Sequence, residues 1–162
     1  MLRIVFIYVL LIALLITGCR PSSTSGPLKT PAPEPSTSNL PALDGAWTIH
    51  MTHSGGIIGL SRSIEISSDG KYTVMDERAE KIFTGEFSAE ELSKIKEQVL
   101  STKYIPPNAP DGMGCADCFI YDLKIQGDGE KFAVQLNDIS LPGSGLESLV
   151  NYLRGLIEIS LK

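Results

Sequence analysis

The chain is expected to fold as an α+β domain, an antiparallel sheet of about four to five strands with two helices packed on one face. Three observations carry this expectation. Apolar residues alternate with polar ones over several short runs separated by glycine-rich turns. Two other stretches place apolar residues at helical spacing. The order is strands, helix, hairpin, helix, which favours antiparallel pairing with segregated helices over alternating β-α units.

The first strand begins at Trp47. Trp47, Ile49 and Met51 alternate with Thr48, His50 and Thr52, the period of a strand with one buried face. Ser54-Gly55-Gly56 interrupts it with residues suited to a turn. Leu60, Ile64 and Ile66 then alternate with polar residues, so the two runs read as a hairpin. Arg62 falls on the core parity of the second run, where an acidic partner is expected. Ser68-Asp69-Gly70 signals another turn. A third strand covers residues 72–75, and residues 82–87 form a fourth strand or an irregular lead-in.

Ser88 followed by Glu91 has the spacing of a capping box. Leu92, Ile95, Val99 and Leu100 follow at helical spacing, which places a helix over 89–102 that ends before Pro106-Pro107. Phe119, Tyr121, Leu123 and Ile125 alternate with polar residues, Gly127-Asp128-Gly129 makes a turn, and Phe132, Val134 and Leu136 alternate again. This is a second hairpin. Leu146, Leu149, Val150, Leu153, Leu156 and Ile157 give a closing amphipathic helix.

The chain before this domain has a different composition. Arg3 precedes residues 4–16, 13 residues without a charge. A spanning helix needs about 20 apolar residues, whereas a signal-peptide core needs about 7–15. Ile16-Thr17-Gly18-Cys19 follows directly and resembles a lipobox. That resemblance implies a bacterial lipoprotein precursor: a signal peptide over 1–18, cleavage before Cys19 and lipid on that cysteine. The protein is then expected at the extracytoplasmic face of a cell membrane or outer membrane. Two or more acyl chains give stable anchoring where one is marginal. Residues 20–42 hold six prolines among many Ser and Thr. Such a segment buries too little apolar surface to fold and extends by about 3.1 Å per residue where it is polyproline-like. We therefore expect residues 19–42 to be a lipidated cysteine and linker, and 43–162 one domain.

Residues 43–162 contain 11 Lys and Arg against 18 Asp and Glu, a formal charge of −7. A polyphosphate backbone is repelled by that balance, so nucleic acid is not an expected partner. The domain has two cysteines, Cys115 and Cys118. In an exported protein they are expected to form a disulfide. The close spacing gives little chain-entropy stabilisation and fixes the entry to the Phe119 strand. A second reading joins them to His50 and His53 around zinc. Residues three apart on a regular strand point to opposite faces, which counts against it. No cofactor or metal is expected. Nor is catalysis: Ser54 and His53 are sequence neighbours with no clear orienting carboxylate, and Asp117 and Asp122 read as solvated or turn-capping groups.

Three pieces of the order resemble one family: Ser54-Gly55-Gly56-Ile57-Ile58-Gly59 between the first two strands, the strand Asp117-Cys118-Phe119-Ile120-Tyr121-Asp122-Leu123, and the closing Leu-rich helix. Together they are similar to the emfourins, small bacterial inhibitors of thermolysin-like zinc metalloproteases such as protealysin. The likeness spans most of residues 46–158. It implies a membrane-tethered binding domain whose partner is a secreted zinc metalloprotease, with Ser54, Gly55, Gly56, Ile57 and Ile58 as the contact loop. Ile57 stands where a Phe commonly follows the Gly-Gly pair, and the anchor, spacer and cysteine pair are additions to the family pattern. The alternative function is that of a structural or assembly lipoprotein of the cell envelope.

Overall fold

A computed structural model describes residues 38–107 and 115–162. The expected lipidation at Cys19, the signal peptide and residues 19–37 of the linker lie outside the described residues, as does the Gly112–Gly114 stretch before the cysteine pair. The strands are β1 (Ser38–Asn39), β2 (Trp47–Gly55), β3 (Leu60–Ser67), β4 (Lys71–Asp76), β5 (Lys81–Glu86), β6 (Lys103–Tyr104), β7 (Phe119–Gly127) and β8 (Glu130–Asn137). The helices are α1 (Ala89–Ser101) and α2 (Glu147–Ser160).

The main sheet has six strands in the order β5-β4-β3-β2-β7-β8, every neighbouring pair antiparallel. The fold is thus α+β, with more strands than the four to five expected. The difference lies at the edge. On β5 every residue except Gly85 is exposed, so polar and apolar positions are not sorted by face and the alternation is faint. A separate two-residue pair, β1 with β6, was not expected at all. It also shortens the linker. Ser38 and Asn39 pair with Tyr104 and Lys103, and Leu40, Pro41 and Leu43 are buried, so residues 38–42 belong with the domain.

Register puts the core in rows across the strands. Phe83, Val74, Ile64, Met51, Leu123 and Val134 form one row, with each residue opposite the next. Tyr72, Ile66, Ile49, Ile125 and Phe132 form another. Side chains alternate across a strand, so both rows share one face. That face is closed by Ile95 and Val99 of α1 and by Leu149, Val150, Leu153 and Ile157 of α2. The other face carries Thr48, His50, Thr52, Ser63, Glu65, Lys124 and Gln126, and among the described residues no helix covers it. Burying one Leu or Ile side chain contributes about 1.5–3 kcal/mol, so the helical stripes and the two rows hold each other in place.

α1 starts at the expected capping box: the Ser88 hydroxyl accepts from the Glu91 N–H, and the Glu91 carboxylate accepts from the Ser88 N–H. Thr102 caps its end. Among the described residues, no helix is long and apolar enough to cross a membrane.

Candidate functional site

One end of the sheet gathers the C-terminal end of β2, the start of β3, the start of β7 and the end of β8. The β2–β3 connection there is a tight loop. Gly56 and Gly59 both have positive φ, 68° and 62°, and the Gly59 N–H donates to the Gly56 carbonyl at 3.0 Å. Between them stand Ile57 and Ile58, exposed by 88% and 62%. The turn chemistry of the two glycines lets the backbone reverse while both isoleucines point to solvent.

This tip is fastened to the start of β7. The Gly56 N–H donates to the Cys118 carbonyl at 3.1 Å. A Cβ on Gly55 would lie 2.5 Å from that same carbonyl oxygen, and one on Gly56 would lie 2.6 Å from the Phe119 ring. Glycine is therefore required at both positions for backbone approach as well as for φ. The Cys118–Phe119 peptide has a second fastening, because its N–H side donates to the Asp138 carboxylate at 2.8 Å. Cys118 is also bonded to Cys115, with the two Cα atoms 5.4 Å apart. Two of the three pieces that carried the family resemblance, the Ser54-Gly55-Gly56 turn and the Phe119 strand, are thus in direct contact. Ser54 itself points to the face away from the helices, opposite Ser61 and Ile120.

Beneath the tip, the third row across the sheet is polar up to its last member: Lys81, Asp76, Arg62, His53 and Tyr121, ending on the core residue Leu136. Arg62 donates from Nε to Asp76 at 2.9 Å, so the acid expected for the core-parity arginine is Asp76. The N–H of Ala79 and then the Arg62 guanidinium hold the Asp76 carboxyl below its ordinary range. The Tyr121 hydroxyl donates to Asp138 at 2.9 Å. Burial, and then the Asp138 carboxylate, push the Tyr121 phenol up.

His53 is 7% exposed and lies between two aromatic rings, stacked on Tyr121 at 5.1 Å and tilted against Phe119 at 4.8 Å. Its Nε2 is buried without a hydrogen-bond partner among the described residues. Burial, and then the positive charges of Arg154 and Arg62, lower its pKa to about 4. His53 is therefore a neutral ring at ordinary pH, a packing element under the loop.

The zinc reading has no geometric basis. His50 and His53 lie on opposite faces of β2, and the sulfurs of Cys115 and Cys118 are bonded to each other. Ser54 and His53 also point to opposite faces, so they form no nucleophile–base pair. Asp117 is exposed, and Asp122 accepts from the Gln135 amide at 3.0 Å on the face away from the helices. Asp138 and Arg154 had no signal in the sequence. Asp138 follows a strand end as an ordinary turn residue, and Arg154 sits in a helix as an ordinary polar position. Only folding brings them to the polar row.

The chain matches no family model, no curated protein and no solved structure.

Proposed function

We propose that residues 43–162 act as a binding module held at the cell envelope by lipid on Cys19, and that the β2–β3 tip is its contact element. The observation that supports this reading is the pairing of exposure with rigidity at one place. Ile57 is 88% exposed on a loop whose glycines are pinned to the Cys118 carbonyl and the Phe119 ring. Isolated apolar residues on a surface are ordinary, but an apolar tip already fixed in place loses little conformational freedom on binding. Such a tip suits an apolar pocket in a cleft. Under the emfourin resemblance the partner is a secreted thermolysin-like zinc metalloprotease, and the module is its inhibitor.

The test is titration of the purified chain against a thermolysin-like protease. Inhibition that saturates and that Ile57→Asp weakens supports the reading. Unchanged peptidase activity at a large molar excess of the chain sinks it for that enzyme.

A second reading, an assembly lipoprotein without inhibitory activity, draws on β5. This edge strand has no partner on its outer side among the described residues, and Ile82 is 64% exposed on it. An open edge with apolar side chains is a template for another strand.

A further inference from the structure

We propose that the Cys115–Cys118 disulfide is a thiol-exchange site, opened by a thiol that seats in the depression beside it, and that opening it loosens the β2–β3 tip. The exchange site stands apart from the reading of the tip as a contact element; its effect on binding rests on that reading.

The bond lies at the surface. Cys115, Ala116 and Asp117 are exposed and Cys118 is half-buried. Among the described residues, no side-chain hydrogen bond or ion pair holds residues 115–117 to another part of the fold. Beyond the chain itself, the disulfide is what ties Cys115 to the start of β7. Both cysteines line a depression of about 140 Å³, whose other walls are Ile120 of β7, Gln135, Leu136 and Asn137 of β8, and Ser140 after it. A cavity of roughly 150 Å³ takes a benzene-sized group, so a cysteine-sized side chain has room beside the sulfurs. None of these lining residues carries a charge, so no carboxylate walls the depression against an incoming thiolate.

Exposure decides what such a bond does. Exchange needs a thiolate to reach one sulfur, and exposed disulfides are the labile or regulatory ones. A bond that closes so short a loop contributes little chain entropy to the fold, so a purely stabilising role is a poor account of it. In the exchange, an external thiolate attacks the sulfur of Cys115, the more exposed residue of the pair. The S–S bond breaks, and its electron pair leaves on the Cys118 sulfur, which takes a proton from solvent. A second external thiolate attacks the mixed disulfide and frees Cys115, which is protonated in turn. The chain's disulfide is thereby reduced to two thiols, and two external thiols are oxidised to one disulfide.

Cys118 joins this bond to the tip. Its carbonyl accepts from the Gly56 N–H at 3.1 Å, and the same oxygen would lie 2.5 Å from a Cβ on Gly55. The small ring closed by the disulfide restricts the backbone angles of Cys118 and so the direction of that carbonyl. With the ring open, the direction rests on the Asp138 bond to the Phe119 N–H and on the β2–β7 pairing that begins at Gly55 and Phe119. The sheet therefore stays formed while the tip moves more freely, and a tip that must be ordered on binding binds less tightly.

The experiment uses the full chain in a nonionic detergent, without denaturant. The probes are reduced glutathione and, in a second arm, an unstructured peptide with one cysteine. Alkylation and peptide mapping are expected to find Cys115 and Cys118 opened while far-ultraviolet circular dichroism is unchanged. Hydrogen exchange at the Gly56 amide is expected to quicken by about threefold or more, with Ile64 unchanged. The double variant Cys115→Ser, Cys118→Ser should exchange at Gly56 as fast as the reduced parent and respond to neither thiol. Opening by glutathione, with or without the peptide, supports the site with a small thiol as its ligand. Opening by the peptide alone supports it with a protein cysteine. A bond that yields to neither probe until denaturant is added overturns the proposal. So does a Gly56 amide that exchanges equally before and after opening, or a thiol response that persists in the double variant. A chain that opens and loosens as expected, yet leaves the protease uninhibited in both states, removes the tip as the contact element and keeps the exchange site.

Discussion

The carboxylate of Asp138 holds the backbone N–H of Phe119 at 2.8 Å and the hydroxyl of Tyr121 at 2.9 Å. The first bond fixes the peptide whose other end, the Cys118 carbonyl, accepts from the Gly56 N–H. An acid in the β8–α2 connection is thus linked to the β2–β3 tip through one peptide plane. In Asp138→Ala the Tyr121 hydroxyl loses the acceptor of its proton, which costs about 1–3 kcal/mol. Urea unfolding measures that loss, and amide exchange at Gly56 should accelerate beyond the change at Ile64 in the sheet centre. Equal acceleration at both positions contradicts the link.

Gly56 and Gly59 test whether approach or φ governs the tip. Both have positive φ, but a Cβ on Gly59 meets nothing within 4 Å, whereas one on Gly56 runs into the Phe119 ring. Gly59→Ala is expected to cost about 1–2 kcal/mol from backbone strain alone. Gly56→Ala should cost about 1 kcal/mol more because the ring must shift. Equal losses in thermal or urea unfolding contradict the steric account.

Ile57→Asp separates stability from contact. A side chain 88% exposed contributes little to folding, so the change in unfolding free energy should stay within about 0.5 kcal/mol. If the tip enters an apolar pocket, the same substitution removes about 1.5–3 kcal/mol of burial and raises the inhibition constant about tenfold or more. A variant that inhibits as well as the parent excludes the tip from the contact.

His53 makes stability depend on pH. Its pKa is lowered from 6.5 to about 4 in the folded chain, so between those values the unfolded state binds a proton that the folded state does not. Stability from this group is complete above about pH 6.5 and is lost as pH falls towards 4, about 3 kcal/mol in all. Asp76, with its carboxyl held low, adds to the loss only in the more acid part of the range. Urea midpoints measured from pH 7 to 5 should fall in the parent and stay nearly level in His53→Phe, which keeps the ring stack without a titrating nitrogen. A parallel fall in both proteins removes His53 as the cause.

The Cys115–Cys118 bond closes a small ring, so chain entropy assigns it about 2 kcal/mol at most. Reduction should leave far-ultraviolet circular dichroism unchanged. Mass spectrometry after alkylation with and without reductant checks the bond itself, and a fully alkylated chain without reductant rejects it.

Much of the fold was legible because burial leaves a periodic trace. Ile49 and Met51, Ile64 and Ile66, and Tyr121, Leu123 and Ile125 each face one core, and their spacing of two marks the strands. Ser88 with Glu91 marks the start of α1 through local hydrogen bonds alone. β5 left a weak trace because an edge strand is exposed on both faces. β1 left none, since Ser38 and Asn39 sit among prolines and their pairing with β6 is a contact between residues far apart in sequence. The glycine turn and the two isoleucines of the tip were readable as a loop, but not its fastening.

By itself, then, the sequence determined which residues face the core, where the chain turns, and the composition that sets the region before the domain apart. Each depends on neighbours a few residues away. Only the tertiary structure decided that Gly56 meets Cys118, that Asp138 holds Phe119 and Tyr121, and that His53 is sealed between two rings near Arg154. These relationships follow from the order of strands in the sheet, and no local periodicity encodes which distant strand lies beside which.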